Sequence, residues 1–123
     1  MAFKISKETK LESSKYKDNS EPATIDNVVE GTLLTYAFSY SARIPKFARV
    51  IKRTNSSVKI ELLEKQIVDD DGYGQNGTCI ANLNGKTEKV EKSFRFKRAN
   101  GRLYIDNRPA YIYRGYPEDF YTD

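Results

Sequence analysis

Residues 31–64 constrain the fold most, because they read as three consecutive strands separated by turn residues. Large apolar side chains occupy alternate positions from Leu34 to Tyr40, so they fall on one face of an extended segment. A second stretch, residues 47–53, is rich in Val, Ile and basic residues. A third places apolar residues at alternate positions from Val58 to Leu62, with Lys59 and Glu61 facing the other way. Three linked antiparallel strands are about the smallest unit that holds a sheet together.

The rest of the chain predicts further short strands. Residues 69–77 contain three glycines and no periodicity, which predicts a long loop. Asn84-Gly85 and Asn100-Gly101 are signals for type I′ hairpins, each between two short strand patterns. Residues 110–114 form a last strand pattern, and an acidic and aromatic tail follows after residue 115.

These patterns indicate an all-β domain with no long helix. We expect a small, strongly bent antiparallel sheet or a small barrel, which removes exposed edges. Residues 24–123 are predicted as a single β domain. Residues 1–23, rich in Lys, Glu and Ser, are predicted as a flexible N-terminal arm. For residues 24–29 the sequence predicts either one helical turn capped by Thr24 or a direct lead into the first strand.

Basic charge is concentrated in two blocks. The net charge of the 123-residue chain is +4, yet residues 31–68 hold seven basic and two acidic residues, and residues 92–114 hold seven and one. If the two blocks pair, the surface is polarised. The chain lacks a membrane-length apolar run and a signal-peptide pattern, and its only cysteine is Cys79. A cytoplasmic protein without membrane association is therefore expected.

The residue types argue against catalysis. With no histidine in the chain, a Ser-His or Cys-His arrangement is impossible. Cys79 is predicted to be a small buried residue. The acidic run 69–71 lacks the spaced ligands of a calcium loop and is predicted as a solvated loop. No catalytic residue, metal site or cofactor is predicted.

Basic and aromatic residues interleave in the second block, where cations can contact phosphates while Tyr rings stack on bases. A solvated sheet face above a core is the alternative. In the second strand, Arg49 and Arg53 are predicted to share one side, and Lys52 is predicted to lie on the other side. Lys59 lies across the hairpin. The period-2 spacing of Tyr36, Phe38 and Tyr40 predicts that these three side chains pack in the core. An exposed aromatic platform is the minority interpretation. The predicted nucleic-acid-binding residues are Arg49, Arg53, Arg95, Lys97, Arg98 and Arg102.

Several local motifs form a wider pattern. A strand led by a glycine stands at Gly31–Leu34, and an aromatic-Ser-Tyr-Ser segment follows at Phe38–Ser41. A Pro-Phe step lies within Ile44–Phe47, and a Val-x-Lys-x-Thr hairpin spans Val50–Val58. An aromatic strand with Gly-x-Pro and a closing Phe spans Tyr111–Phe120. In these motifs the chain resembles a group of small bacteriophage-encoded proteins of unknown function, although Ser39 stands where a Gly is usual. The resemblance implies a phage or mobile-element origin and supplies no catalytic residues.

The hairpin Phe47–Leu62 also resembles the core hairpin of KOW and SH3-like small barrels, which often bind nucleic acid or protein surfaces. That likeness implies an SH3-like or KOW-like barrel, but fold does not fix function.

The expected function is non-enzymatic binding of DNA or RNA through a basic sheet face, in the host cytoplasm if the protein is phage-encoded. One alternative is a protein-binding module that inhibits or redirects a host factor through the N-terminal arm or the tail Glu118–Asp123. A structural virion component is a third hypothesis, and an enzyme ranks last.

Overall fold

The computed structural model describes residues 17–39 and 41–122. This part of the chain is all-β, as predicted. It contains nine strands: β1 Leu33–Ser39, β2 Arg43–Arg53, β3 Ser57–Asp70, β4 Asn76–Lys89, β5 Phe94–Arg95, β6 Tyr104–Ile105, β7 Arg108–Pro109, β8 Tyr111–Ile112 and β9 Glu118–Tyr121. No helix in these two ranges is long and apolar enough to cross a membrane.

Seven strands form one strongly curved antiparallel sheet in the order β5-β3-β4-β9-β2-β1-β8, and β6 and β7 form a separate hairpin. The predicted bent sheet is thus confirmed, and the sheet is not closed into a barrel. Strand β2 pairs with β1 along one edge. Its other edge pairs with β3 from Phe47 to Arg53, and Arg43 at its start pairs with Tyr121 of β9.

Strand β9 corrects the prediction of a C-terminal tail. It lies between β4 and the start of β2, where β3 has diverged from β2. Phe120 is buried, and Glu118 forms an ion pair with Arg43 at 2.7 Å. Strand β9 has four residues and one buried side chain, which is too few to show an alternating pattern in the sequence. Residues 118–121 become a strand because β4 and β2 offer open edges on either side of them.

The predicted hairpin at Asn84-Gly85 is wrong, because β4 runs through both residues. Its pairing with β3 passes from Leu63↔Thr87 to Glu64↔Asn82, so residues 83–86 bulge out of one continuous strand. Strand β3 already supplies hydrogen-bond partners on both sides of the bulge, and no return strand is needed. The turn of this long hairpin lies at residues 71–75, inside the predicted loop.

The hairpin at Asn100-Gly101 is confirmed, although its turn type is not. Phe96 pairs with Leu103, and the loop spans residues 98–101, in which only Gly101 has a positive φ, +70°. Type I′ needs two such residues. That geometry occurs instead between β6 and β7, where Asp106 and Asn107 have φ of 51° and 64°. Asp and Asn tolerate this left-handed region better than most residues.

The sheet buries apolar side chains on both of its faces, in two separate clusters. The first cluster contains Leu34, Val50 and Ile60 together with residues of the 94–110 region. The second, on the opposite face, contains Phe47, Leu63 and Phe120. Tyr113 belongs to the second cluster, and its hydroxyl accepts a hydrogen bond from the Ala81 amide at 3.1 Å. Each cluster occupies only part of its face.

Tyr36 is buried in the first cluster and Phe38 packs against it, so core packing is confirmed for these two residues. Tyr40 lies outside the described residues. Cys79 is fully buried, as predicted.

Residues 19–23 belong to the folded domain, so it begins before Thr24. Ala23 is fully buried, and its amide donates to the Ala110 carbonyl at 3.0 Å. Thr24 closes a single turn, since its carbonyl accepts the Val28 amide and its hydroxyl accepts the Asp26 amide, both at 3.2 Å. The rest of the predicted arm, residues 1–16, lies outside the described residues.

Asn19 should be a stability determinant because its one buried side chain hydrogen-bonds two backbone groups and the Glu118 carboxylate. Its amide nitrogen donates to the Tyr116 carbonyl at 2.8 Å and to Glu118 at 2.6 Å, and its oxygen accepts the Arg114 amide at 2.8 Å. We expect Asn19→Ala to lower the free energy of unfolding by about 1–3 kcal/mol, because buried polar groups lose their partners. Urea denaturation measures this. Asn55→Ala, in the exposed turn after β2, is the control and should change stability by less than about 0.5 kcal/mol.

Candidate nucleic-acid interface

The register of β3 brings cations from four strands onto one face of the sheet. Directly paired residues share a face, as do alternate residues of one strand. Ser57 pairs with Arg95, and Lys59 pairs with Lys52. Glu61 pairs with Arg49 of β2 on one side and with Lys89 of β4 on the other. We call this surface the basic face, and its charged residues are Arg49, Lys52, Lys59, Glu61, Lys89 and Arg95.

A β-bulge in β2 decides which cations lie on this face. The register with β3 shifts between Val50 and Lys52, so Ile51 is an extra residue. Beyond the bulge Arg53 pairs with Val58, a residue of the first core cluster. The prediction that Arg49 and Arg53 share a side was therefore wrong: Lys52 lies with Arg49, and Arg53 lies on the opposite face. A bulge of one residue exchanges the two faces of a strand.

Most of the charge on the basic face is uncompensated. Arg49 forms an ion pair with Glu61 at 2.9 Å. None of the other four cations has a carboxylate within ion-pair distance in the part of the chain that the structure describes. Lys52 and Lys59 stand directly opposite each other. Like charges in that position destabilise a sheet, so an anion placed between them would be stabilising.

Arg53 has a structural position. Its guanidinium donates hydrogen bonds to the carbonyls of Val28 at 2.9 Å and Ile25 at 2.8 Å, and also to the Thr54 carbonyl. It lies 4.5 Å from the centre of the Phe96 ring. These contacts hold the turn after Thr24 against the first core cluster.

Lys97 and Arg102 lie beside tyrosine rings next to the basic face. The Lys97 ammonium lies 4.6 Å from the centre of the Tyr104 ring. The Arg102 guanidinium lies 5.9 Å from Tyr104 and 5.5 Å from Tyr111, and two of its nitrogens are buried without a hydrogen-bond partner among the described residues. Arg98, in the hairpin loop, is exposed. We call Lys97, Tyr104, Arg102 and Tyr111 the tyrosine–cation ladder.

A cleft joins the ladder to the basic face. It has a volume of about 460 Å³, and both Arg95 and Tyr104 line it. Of the six predicted residues, the structure therefore places Arg49 and Arg95 on the basic face, and Lys97 and Arg102 in the adjoining ladder. Arg98 lies in the loop that connects the two ladder cations. Arg53 lies apart from them.

Three cations of the basic face, Lys52, Lys59 and Lys89, are not among the predicted nucleic-acid-binding residues. The alternation around Val58 already places Lys59 outward, so the sequence contained that signal. Lys52 depends on the bulge, and Lys89 depends on the pairing of β4 with β3 beyond its own bulge. The β2 bulge has no mark in the local pattern, and the β4 bulge contains Asn84-Gly85, a pair that was interpreted from the sequence as a hairpin turn.

The acidic loop lies at the far end of β3 from the basic face, so it does not neutralise the cations. Asp69 and Asp70 pair with Thr78 and Gly77 near the turn of the long hairpin. The Asp71 carboxylate accepts the Tyr73 amide at 2.9 Å, which lowers the pKa of Asp71, and the Asn76 side chain adds a second hydrogen bond. This carboxylate organises its own loop.

Burial shifts the pKa of two further side chains, Tyr36 and Cys79. Burial raises the pKa of Tyr36 to about 12, with a smaller contribution from the charge of Asp106. Burial also raises the pKa of the Cys79 thiol, which makes it a poor nucleophile at neutral pH. Among the described residues, no group of three or more Cys, Asp or Glu side chains could hold a metal ion.

No protein-family model matches the chain, and no curated protein and no solved structure matches it either.

The contacts of Arg53 predict that it acts in stability and not in binding. We expect Arg53→Met to lower the free energy of unfolding by about 1–3 kcal/mol, because three backbone carbonyls lose a charged donor. Arg49→Met removes only a partly exposed ion pair and should cost less than about 1 kcal/mol. Parallel urea titrations compare the two. Equal losses would contradict the structural role assigned to Arg53.

Proposed function

We propose that this protein binds nucleic acid through the basic face, as a non-enzymatic module of bacteriophage type. The observation that carries the proposal is the facing pair of Lys52 and Lys59. Three further cations, Arg49, Lys89 and Arg95, lie on the same face, and Glu61 is its one acidic residue. Five cations and one carboxylate on one face of the sheet form a surface suited to phosphate groups.

Folding gains nothing from this concentration of charge. An arrangement with carboxylates opposite the lysines would stabilise the sheet, whereas two facing ammonium groups destabilise it. A phosphate bound between them removes that repulsion and releases counterions. The charge is therefore better explained by an anionic partner than by solubility alone.

The tyrosine–cation ladder extends the basic face with rings that can stack on bases. Phosphate contacts then supply most of the affinity, and stacking adds to it. The resemblance of residues 31–120 to small phage proteins, and of the β2–β3 hairpin to KOW and SH3-like hairpins, is consistent with such a role and is part of the proposal.

Removing cations from the basic face should weaken binding and reduce its salt dependence. For the double variant Lys52→Ala/Lys59→Ala, we expect the slope of log affinity against log salt to fall by about 2, or about 1 for each lost phosphate contact. Fluorescence anisotropy over a salt series measures the slope.

Lys46→Ala is the matched control for this experiment. Lys46 is an exposed lysine of the same strand, and its pairing with the buried Tyr36 places it on the opposite face. For Lys46→Ala the slope of log affinity against log salt should stay unchanged. Glu61→Gln should tighten binding, since it removes the one acid of the face. Equal effects of the double variant and Lys46→Ala would contradict a binding role for the basic face.

A second candidate function is a protein-binding module. Away from the basic face, the long β3–β4 hairpin exposes Ile67, Val68 and Leu83 by 47–48%, and Tyr73 by 84%. Tyr and apolar residues of this kind anchor protein interfaces. If this hairpin is the interface, Tyr73→Ala should lose the host proteins that the wild type retains in a nuclease-treated host lysate. Lys46→Ala should keep them, and a wild type that retains no protein would rule this function out.

A further inference from the structure

The cleft between β5 and the β6–β7 hairpin combines three kinds of group in one place. Its aromatic groups are Phe94 and Tyr104, its cations are Lys92 and Arg95, and the turn between β6 and β7 supplies a carboxylate and an amide. The volume of about 460 Å³ lies within the ordinary range of small-molecule sites, about 300–1,000 Å³. Such a mixture of an aromatic surface, cations and polar edges is chemically complementary to a nucleotide.

We infer that this cleft binds an unstacked nucleobase on Tyr104, so that the ligand class is single-stranded nucleic acid. This inference rests on the proposed function, and it adds the site of base recognition and the strandedness of the ligand.

Tyr104 is placed for stacking. Its neighbours Leu103 and Ile105 are buried in the core, so by the alternation of a strand the Tyr104 ring lies on the outer side. The Lys97 ammonium over this ring is on a flexible side chain, and a base can replace it at the ring while the ammonium moves to a phosphate.

The β6–β7 turn supplies polar groups at the edge of the cleft. Asp106 and Asn107 both have left-handed backbone conformations in a two-residue turn. A carboxylate and an amide can accept and donate hydrogen bonds at the edge of a base. Asp106 contacts Lys92 at 3.7 Å, but this pair is largely exposed, with side chains 47% and 67% accessible, so opening it for a ligand costs little.

The neighbouring basic face explains why the ligand should be single-stranded. Arg95 belongs both to the basic face and to the wall of the cleft. A backbone that lies along the basic face therefore reaches the cleft with its next base. In a duplex that base is paired and stacked, and extruding it costs a few kcal/mol. A single strand avoids this cost.

The test uses a fluorescent oligothymidylate of about fifteen residues, long enough for a site of this kind, and the same strand paired with oligodeoxyadenylate. Anisotropy titrations at one low salt concentration compare the wild type with Tyr104→Leu, Tyr104→Phe and Tyr73→Leu. We expect the wild type to prefer the single strand. Tyr104→Leu should lose at least about fivefold in affinity for it, since stacking contributes about 1–3 kcal/mol per base. The duplex affinity should change little.

The other two variants are controls. Tyr104→Phe keeps the ring and should keep the affinity. Tyr73→Leu removes an exposed tyrosine of the distant hairpin loop and should behave like the wild type. Thermal unfolding followed by circular dichroism checks that each variant is folded.

Photo-cross-linking locates the base without any substitution in the protein. An oligothymidylate that carries 5-iodouracil should cross-link to the peptide that contains Tyr104, as identified by mass spectrometry. Salt-dependent binding with equal affinity for single strand and duplex, or cross-links only elsewhere, would overturn the base site while leaving the proposed function intact. Failure to bind either ligand at low salt would overturn both.

Discussion

Strand β3 is hydrogen-bonded along both of its edges from Val58 to Leu63, and the rest of the structure depends on this pairing. Strand β2 occupies one edge, and β5, Val90 and the end of β4 follow one another along the other edge. A strand held on both edges cannot slip by one residue without exchanging its buried and exposed faces. One register therefore directs Val58 and Ile60 into the core and Lys59 and Glu61 outward. The pair Ser57↔Arg95 also joins the two basic blocks of the sequence.

The single extra residue in β2 determines the composition of the basic face. Without the shift at Ile51, Arg53 would lie with Arg49, and Lys52 would lie on the core side. With it, the longer and more versatile guanidinium of Arg53 binds the backbone carbonyls of the turn after Thr24, and a lysine faces another lysine across the hairpin. A guanidinium presents several donors in a fixed geometry, which suits a site with two carbonyl acceptors. The bulge thus separates a structural cation from the cations available to a ligand.

The charge of the molecule is polarised along β3. The cations gather near the start of this strand, and Asp69, Asp70 and the loop carboxylate of Asp71 lie at its other end. The Asp71 carboxylate is engaged by amides of its own loop, so it orders the turn of the long hairpin. An acidic end held away from the basic face leaves the positive potential of that face uncancelled. The length of β3, Ser57–Asp70, keeps the two groups of charges apart.

The sequence by itself determined the all-β class, the first three strands, the burial of Tyr36 and the hairpin around Asn100, because each follows from local alternation or turn chemistry. It also determined the burial of Cys79, which follows from the residue type. Two of the residues that it singled out, Arg49 and Arg95, lie on the basic face, and the excess of basic residues in their blocks is visible without a structure. Only the tertiary structure decided that Asn84-Gly85 is a bulge, that residues 118–121 are a strand, and that Lys52, Lys59 and Lys89 complete the basic face. The physical reason is that strand pairing is a non-local choice: whether a residue turns, bulges or pairs depends on which edge is available, and the neighbouring residues in the sequence do not encode that.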